Sequence, residues 1–263
     1  MKALRNLLVC EFVKLKRKKL FSFALLAAFI FPILGAALVT GFAEVSFADM
    51  LSFVREDSGF LLLMPLLVIL AANLFFFEQD SDTLKNLLCI PISQKRLVLV
   101  KLLVLLIFSV AFQIVGFAIS MGITVLQHIP LTDFLLQLAL TAATGVLLWA
   151  AALPCIILVI WFNKSYVLSV IIVFFYTLLN FGMHLSDAIL MKPLGFNAGT
   201  LMPIPMIFRW LYQFGAPVGE IQTAFYHRFS PYFAPTSACF GVLLIEAAIC
   251  IFLMIRIYQR RQI

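Results

Sequence analysis

The chain has 263 residues, of which 64% are hydrophobic and 12% charged, with a mean hydropathy of +1.11 and a formal net charge of +7. Soluble domains are about half apolar and a quarter charged, so a water-soluble core of this size cannot bury so much apolar surface and a lipid bilayer must solvate the rest. Lysines and arginines cluster beside apolar runs and no long polar domain exists, which excludes nucleic-acid binding as the source of the basic charge. The five cysteines form no CxxC pair, and no metal site is predicted.

The first 19 residues are predicted to form an amphipathic helix that lies in the membrane interface. Apolar residues from Leu4 to Leu15 repeat at three- and four-residue spacing, and basic residues occupy most other positions. Such a helix places its basic side chains against anionic lipid headgroups. The basic residues expected at the interface are Lys14, Lys16, Arg17, Lys18 and Lys19.

Six apolar runs are long enough to cross a bilayer as helices, which predicts an all-α integral membrane protein with a single transmembrane domain over residues 1–263. The predicted spans are residues 20–42, 59–77, 97–125, 134–160, 166–185 and 238–257. Five charged residues between positions 43 and 58 predict a short polar loop between the first two spans.

Residues 186–237 differ from both a solvated loop and a spanning helix. They contain six of the eleven prolines together with many aromatic residues. Proline interrupts helices. At membrane depth, the N–H and C=O groups of an irregular backbone need hydrogen bonds from other parts of the protein or from water. We therefore predict short helices that lie on, or dip into, the outer leaflet.

The distribution of basic residues predicts the orientation of the chain. With both termini in the cytoplasm, 15 of the 19 lysines and arginines fall on the inner side, as the positive-inside rule requires. Lys95, Arg96 and Lys101 belong to this inner set, and we expect them to serve topology and headgroup contact.

The segment 78–96, between the second and third spans, is the most informative part of the chain. Acidic residues precede a short apolar pattern at Leu84, Leu87 and Leu88, and Pro91 prevents the helix from continuing. The pattern predicts about two turns of amphipathic helix on the cytoplasmic side. An exposed apolar helix face needs a cover, and a groove on a partner protein is one.

This segment resembles the signature of the ABC-2 type transporter permeases. The similarity consists of Glu78 at the end of the second span, then Thr83-Leu84-Lys85-Asn86-Leu87-Leu88, then Pro91-Ile92-Ser93, a basic residue and Lys101. Within that superfamily the chain is most similar to permeases of bacitracin-efflux and lantibiotic-immunity transporters. The basic amphipathic start, the six spans and the long segment before the last span also agree.

The resemblance implies a function and a set of partners. The chain would be the permease subunit of a bacterial ATP-driven exporter of an amphipathic peptide antibiotic, and would work beside a second permease subunit, identical or related. A separate ATP-binding cassette subunit would carry ATP and Mg²⁺, because this chain has no GxxxxGK[ST] motif to hold phosphates and is not expected to be an enzyme. The residues expected to couple the permease to that subunit are Glu78, Asp82, Thr83, Leu84, Lys85, Asn86, Leu87, Leu88 and Pro91.

Four polar residues inside the predicted spans are candidates for the transport path or for helix–helix contacts. Glu246 lies near the middle of the last span, where a charged acid costs about 2.5–3.5 kcal/mol on insertion scales. Asn73, Gln113 and Asn180 are uncharged, and such residues commonly form hydrogen bonds between helices.

Three other functions are compatible with parts of the sequence. An ABC-2 exporter could carry a lipid or another drug instead of a peptide. A secondary transporter or channel would need no ATPase, although the capped cytoplasmic helix argues against it. A membrane scaffold without transport activity would leave drug tolerance unchanged when the protein is lost.

Overall fold

The computed structural model describes residues 2–17, 19–39, 45–80, 93–161, 166–215, 217 and 219–260, and within these residues it contains helices and no β-strand. The first half contains α1 (Lys2–Lys16), α2 (Lys19–Ala27), α3 (Ile30–Val39), α4 (Phe47–Ser52), a π-helical segment (Phe53–Leu63) and α5 (Met64–Asp80). The rest contains α6 (Gln94–Leu126), α7 (Phe134–Trp161), α8 (Tyr166–His184), α9 (Asp187–Leu190), α10 (Ala198–Leu201), α11 (Pro203–Leu211), α12 (Glu220–Phe229) and α13 (Thr236–Arg260). Two single 3₁₀ turns, Tyr212–Phe214 and Ser230–Tyr232, follow α11 and α12.

Helices long and apolar enough to cross a membrane confirm the predicted class of all-α membrane protein. Within the described residues, five helical stretches meet this criterion and a sixth, Leu168–His184, is apolar but shorter. The five are Phe21–Leu38, Phe47–Phe75, Gln94–Leu126, Phe134–Trp161 and Thr236–Gln259. These six helices correspond to the six predicted spans.

The polar loop predicted at residues 43–58 is wrong for its described part, because the helix of the second span begins at Phe47. Ser46 starts it with a capping box, in which the Ser46 hydroxyl accepts from the Asp49 amide and the Asp49 carboxylate accepts from the Ser46 amide. The charged side chain of Arg55 is accommodated because it donates to Gln137 of α7. The five charged residues between positions 43 and 58 led to the prediction of a loop, whereas the residues from Phe47 onward form the first turns of a long helix.

The first span is also less regular than predicted, since α2 and α3 are separated by a turn at Ala28 and Phe29. Pro32 is the third residue of α3. Backbone N–H groups in the first turn of a helix have no acceptor within that helix, so a proline there removes no hydrogen bond. The chain thus accommodates Pro32 by starting a new helix rather than by kinking one.

The helices alternate in direction, so the bundle has two ends. We call the end that holds α1 and the last turns of α5 and α13 the terminal end; there the rings of Phe75 and Tyr258 lie 6.1 Å apart. The opposite end holds the start of α4, the turn between α6 and α7, and residues 185–235.

Helices α6 and α7 form the closest helix pair at the centre of the bundle. Ser109 of α6 donates a 2.6 Å hydrogen bond to the carbonyl of Gly145 in α7. A Cβ added at Gly145 would lie 2.9 Å from the Cα of Val110, closer than such contacts are found in proteins. A small residue at this position therefore lets two backbones approach, as is common in membrane helices.

Replacing Gly145 with alanine is expected to destabilise the bundle by about 1–3 kcal/mol, because backbone atoms of α6 must move to admit the new methyl group. The measurement is the midpoint of thermal unfolding of the purified chain in detergent. Gly122→Ala on α6 is the matched control, since no atom lies within 4 Å of its added Cβ. Equal midpoints for the two variants would contradict the close contact.

The segment between α8 and α13 contains the predicted short helices, but α11 does not lie on a surface. All nine of its residues are buried, and it packs against α7, α8 and α13. The segment is held by Arg209, whose side chain is 0% exposed. Its guanidinium donates to the carbonyls of Tyr232 (2.7 Å), Lys192 (3.0 Å) and Gly199 (3.4 Å).

Candidate functional site

The predicted coupling segment lies almost entirely outside the described residues. Helix α5 continues to Asp80 and so includes the backbone of Glu78, and α6 begins at Gln94. The other coupling residues of the prediction, Asp82, Thr83, Leu84, Lys85, Asn86, Leu87, Leu88 and Pro91, fall outside the described ranges. Their assignment to the coupling segment stays a prediction, but the two helices that flank them both reach the terminal end.

Lys101 does not contact headgroups as the sequence suggested, because its side chain is 0% exposed. Its ammonium donates to the carbonyl of Leu74 in α5 and lies 5.0 Å from the centre of the Phe75 ring. A buried ammonium is tolerated only with acceptors or negative charge around it. Lys101 therefore ties α6 to α5, the two helices that flank the coupling segment in the chain.

The N-terminal helix α1 also lies at the terminal end, where it packs against α6, α2 and α5. Its Glu11 is buried and accepts a 2.6 Å salt bridge from Lys14. Lys16, Arg17 and Lys19 are exposed, and Lys18 falls outside the described residues. The amphipathic helix is thus present, with one face on the bundle, and the contact of its basic face with lipid headgroups stays a prediction.

Two of the predicted intramembrane polar residues hydrogen-bond within their own helices. Asn73 donates to the carbonyl of Ile69 at 3.0 Å, and Asn180 donates to that of Tyr176 at 3.1 Å. The Asn180 side-chain oxygen is buried and accepts no hydrogen bond in the described part of the chain. Each of these two amide hydrogen bonds stays within one helix, so neither joins a second helix.

The side chains of Gln113 and Glu246 form fewer hydrogen bonds with the described residues than those of Asn73 and Asn180. Gln113 is 0% exposed, and neither of its side-chain polar atoms has a hydrogen-bond partner among the described residues. It faces the π-helical segment, where a Cβ added at Gly59 would lie 3.0 Å from its amide nitrogen. Glu246 is half-buried on α13. Their roles in a transport path or in helix contacts stay predictions.

A cavity of about 190 Å³ lies at the opposite end, between the start of the second span and the segment after α11. Asp49, Arg55 and Glu56 line it from one side, and Tyr212 and Tyr226 from the other. Arg55 donates to the side-chain oxygen of Gln137 at 2.8 Å. π-Helical turns, such as the one that carries Arg55 and Glu56, frequently occur at functional sites.

Neither this cavity nor the roles of two arginines was predicted from the sequence. Arg55 and Arg209 are two of the four basic residues that the predicted topology places on the outer side, the others being Lys192 and Arg228. The sequence does contain a signal for Arg55, which is the first of three consecutive charged residues beside an apolar run. Charges at the edge of a membrane are costly unless other groups of the protein pair with them. No local pattern predicts the three carbonyls around Arg209, because they come from distant parts of the segment.

Within the described residues, five apolar helical stretches long enough to cross a membrane and a sixth, shorter apolar helix define a multi-pass membrane protein. Its buried lysine lies at one end of the bundle and its polar cavity at the other. The chain matches the family described as ABC-2 family transporter protein over residues 7–180 and belongs to that family. It is therefore a transmembrane component of an ABC exporter, which works with an ATP-binding cassette subunit and is generally not catalytic itself. No curated protein matches the chain.

Proposed function

We propose that the chain is the permease subunit of an exporter that removes an amphipathic peptide antibiotic of the bacitracin or lantibiotic type from the bacterial cell membrane. Two permease subunits, identical or related, would assemble with two ATP-binding subunits that carry ATP and Mg²⁺. Both termini would face the cytoplasm. The observation that carries the coupling part of the proposal is the buried contact of Lys101 with Leu74 and Phe75 at the terminal end.

This contact supports coupling because it joins the two helices that the predicted coupling helix connects. A force applied to residues 82–91 by a partner subunit would reach both α5 and α6. Lys101 holds these neighbouring parts of α5 and α6 together, so they cannot move independently. Such a force would therefore be transmitted into the two spans. Packed elements of this kind transmit small displacements over distance.

The peptide substrate is supported by the resemblance of residues 78–101 to the peptide-antibiotic branch of the family. An amphipathic peptide that acts on membranes collects at the interface, where a permease can take it up from the lipid. Protection of the cell follows if the peptide is expelled before it reaches its target.

The test is the tolerance of a sensitive bacterium that expresses this chain together with its ATP-binding subunit. We expect the inhibitory concentrations of bacitracin or of a lantibiotic to rise at least fourfold. The rise should vanish when the P-loop lysine of the ATP-binding subunit is replaced by alanine, because the export then has no energy source.

Ethidium, a cationic drug without peptide character, is the matched comparison compound. Unchanged tolerance to both peptide classes with increased tolerance to ethidium would contradict the peptide substrate and favour the exporter of another drug. A rise in peptide tolerance that persists with the inactive ATP-binding subunit would contradict ATP-driven export.

A further inference from the structure

We propose that the cavity at the opposite end is a binding site for the headgroup of phosphatidylethanolamine, with Glu56 receiving its ammonium and Arg55 its phosphate. This site is independent of the exported substrate. It is supported by the charges that line the cavity, by their free hydrogen-bonding capacity and by the depth of the cavity in the membrane.

The cavity holds one positive and two negative side chains close together, which matches a zwitterionic group. Glu56 lines the cavity half-buried, and no hydrogen bond or ion pair reaches its carboxylate from the described residues. One carboxylate oxygen of Asp49 is already used by the amide and hydroxyl of Ser46. Glu56 is thus the carboxylate with the most to gain from a bound cation, since a partly desolvated carboxylate that accepts no hydrogen bond is costly even with Arg55 as its charged neighbour.

The guanidinium of Arg55 has donors left for an anion. Of its five N–H groups, one donates to Gln137 at 2.8 Å and another makes a long contact of 3.5 Å with the carbonyl of Ala48. Its fork geometry suits phosphate oxygens. Both of these hydrogen-bond acceptors are neutral, so among the groups that line the cavity the positive charge of Arg55 is opposed by the carboxylates of Glu56 and Asp49 alone.

Aromatic rings complete the ammonium side of the site. The rings of Tyr212 and Tyr226 lie 6.0 Å apart and line the cavity opposite the second span. The hydroxyl of Tyr226 donates to the carbonyl of Gln213 at 3.2 Å, which fixes its ring. Tyrosine faces attract ammonium groups by a cation–π interaction.

The depth of the cavity favours a lipid over a ligand from water. The helical stretch Phe47–Phe75 has 29 residues and is roughly 40 Å long, whereas the hydrocarbon layer is about 30 Å thick. Its first turns, which carry Asp49 to Glu56, therefore reach the level of the headgroups. Large apolar side chains are exposed around the same end and suit contact with acyl chains: Leu126, Leu135, Leu185 and Phe196.

The test uses the full chain purified in dodecyl maltoside, titrated by calorimetry with dihexanoyl phosphatidylethanolamine. We expect saturable binding at least tenfold tighter than that of dihexanoyl phosphatidylglycerol, which lacks the ammonium. Glu56→Gln should weaken the binding at least tenfold. Asp57→Asn, which removes the neighbouring carboxylate that does not line the cavity, should change it less than twofold.

Two further measurements make the site falsifiable if Glu56→Gln unfolds. Tyr226→Leu should weaken binding at least threefold through the lost ring. Ethyl glycinate, a primary ammonium without phosphate, should bind at least tenfold more weakly than the lipid. Equal binding of ethyl glycinate would indicate a general amine site, such as one for a peptide, and would overturn the phospholipid assignment, as would unchanged lipid affinity in Glu56→Gln or Tyr226→Leu.

Discussion

Replacing Arg209 with alanine is expected to lower the stability of the purified chain by about 3 kcal/mol or more. The side chain is fully buried and donates to the carbonyls of Lys192, Gly199 and Tyr232. Hydrogen bonds from a charged group contribute about 1.5–3 kcal/mol each, and buried carbonyls left without a donor add a desolvation cost. Burial lowers the pKa of Arg209 from its usual value.

The measurement is the midpoint of thermal unfolding in detergent, where a change of ~3 kcal/mol corresponds to roughly 6–12 °C in a domain of this size. Arg209→Lys should recover only part of the loss, because an ammonium cannot reproduce the planar fork that reaches three carbonyls.

Arg228→Ala is the matched control for the same segment. Arg228 pairs with Asp187, but the two side chains are 60% and 55% exposed. An exposed ion pair contributes about 0–1 kcal/mol, so this variant should unfold within about 4 °C of the native chain. If Arg209→Ala and Arg228→Ala had the same midpoint, Arg209 would not be the residue that holds the segment together.

The double substitution Leu87→Asp and Leu88→Asp is expected to reduce the amount of copurified ATP-binding subunit at least tenfold and to abolish transport. This follows from the proposed function, in which the apolar face of the coupling helix fills a groove on the partner. Two carboxylates in such a groove lose water without gaining partners, and each uncompensated charge costs several kcal/mol. The measurement is the ratio of the two subunits after affinity purification of the permease.

Cys89→Asp is the control, because it adds a negative charge to the same segment at a position outside the predicted coupling residues and away from the apolar pattern of Leu84, Leu87 and Leu88. It should leave the subunit ratio within about twofold of that of the native chain. A normal ratio for the double variant would show that the partner does not dock on this face. A loss with Cys89→Asp as large as with the double variant would assign the effect to charge alone.

The sequence was sufficient to predict the class of fold, because the hydropathy of each residue reflects its free energy of transfer from water into lipid. Runs of about 20 apolar residues have one favourable solution in a bilayer, in which a helix satisfies its own backbone. Hence α6, α7, α8 and α13 begin and end within a few residues of their predicted limits. The ABC-2 family was also evident from the pattern between Glu78 and Lys101.

The sequence failed where a charged residue is satisfied by a partner far along the chain. The stretch before residue 59 seemed too polar for a helix, yet Arg55 meets Gln137 across 82 positions and the helix continues through it. Lys101 seemed to be an interfacial charge, yet it reaches across 27 positions to the carbonyl of Leu74. Local composition carries no information about such partners, so each of these residues was assigned to water or lipid.

What the sequence determined by itself is therefore the class of all-α membrane protein, the approximate limits of α6, α7, α8 and α13 and the family to which the chain belongs, since all three depend on short-range patterns. Only the tertiary structure decided that Lys101 and Arg209 are buried, that α11 lies inside the bundle and that a charged cavity faces the opposite end. The physical reason is that the free energy of a buried charge depends on acceptors that distant segments bring to it.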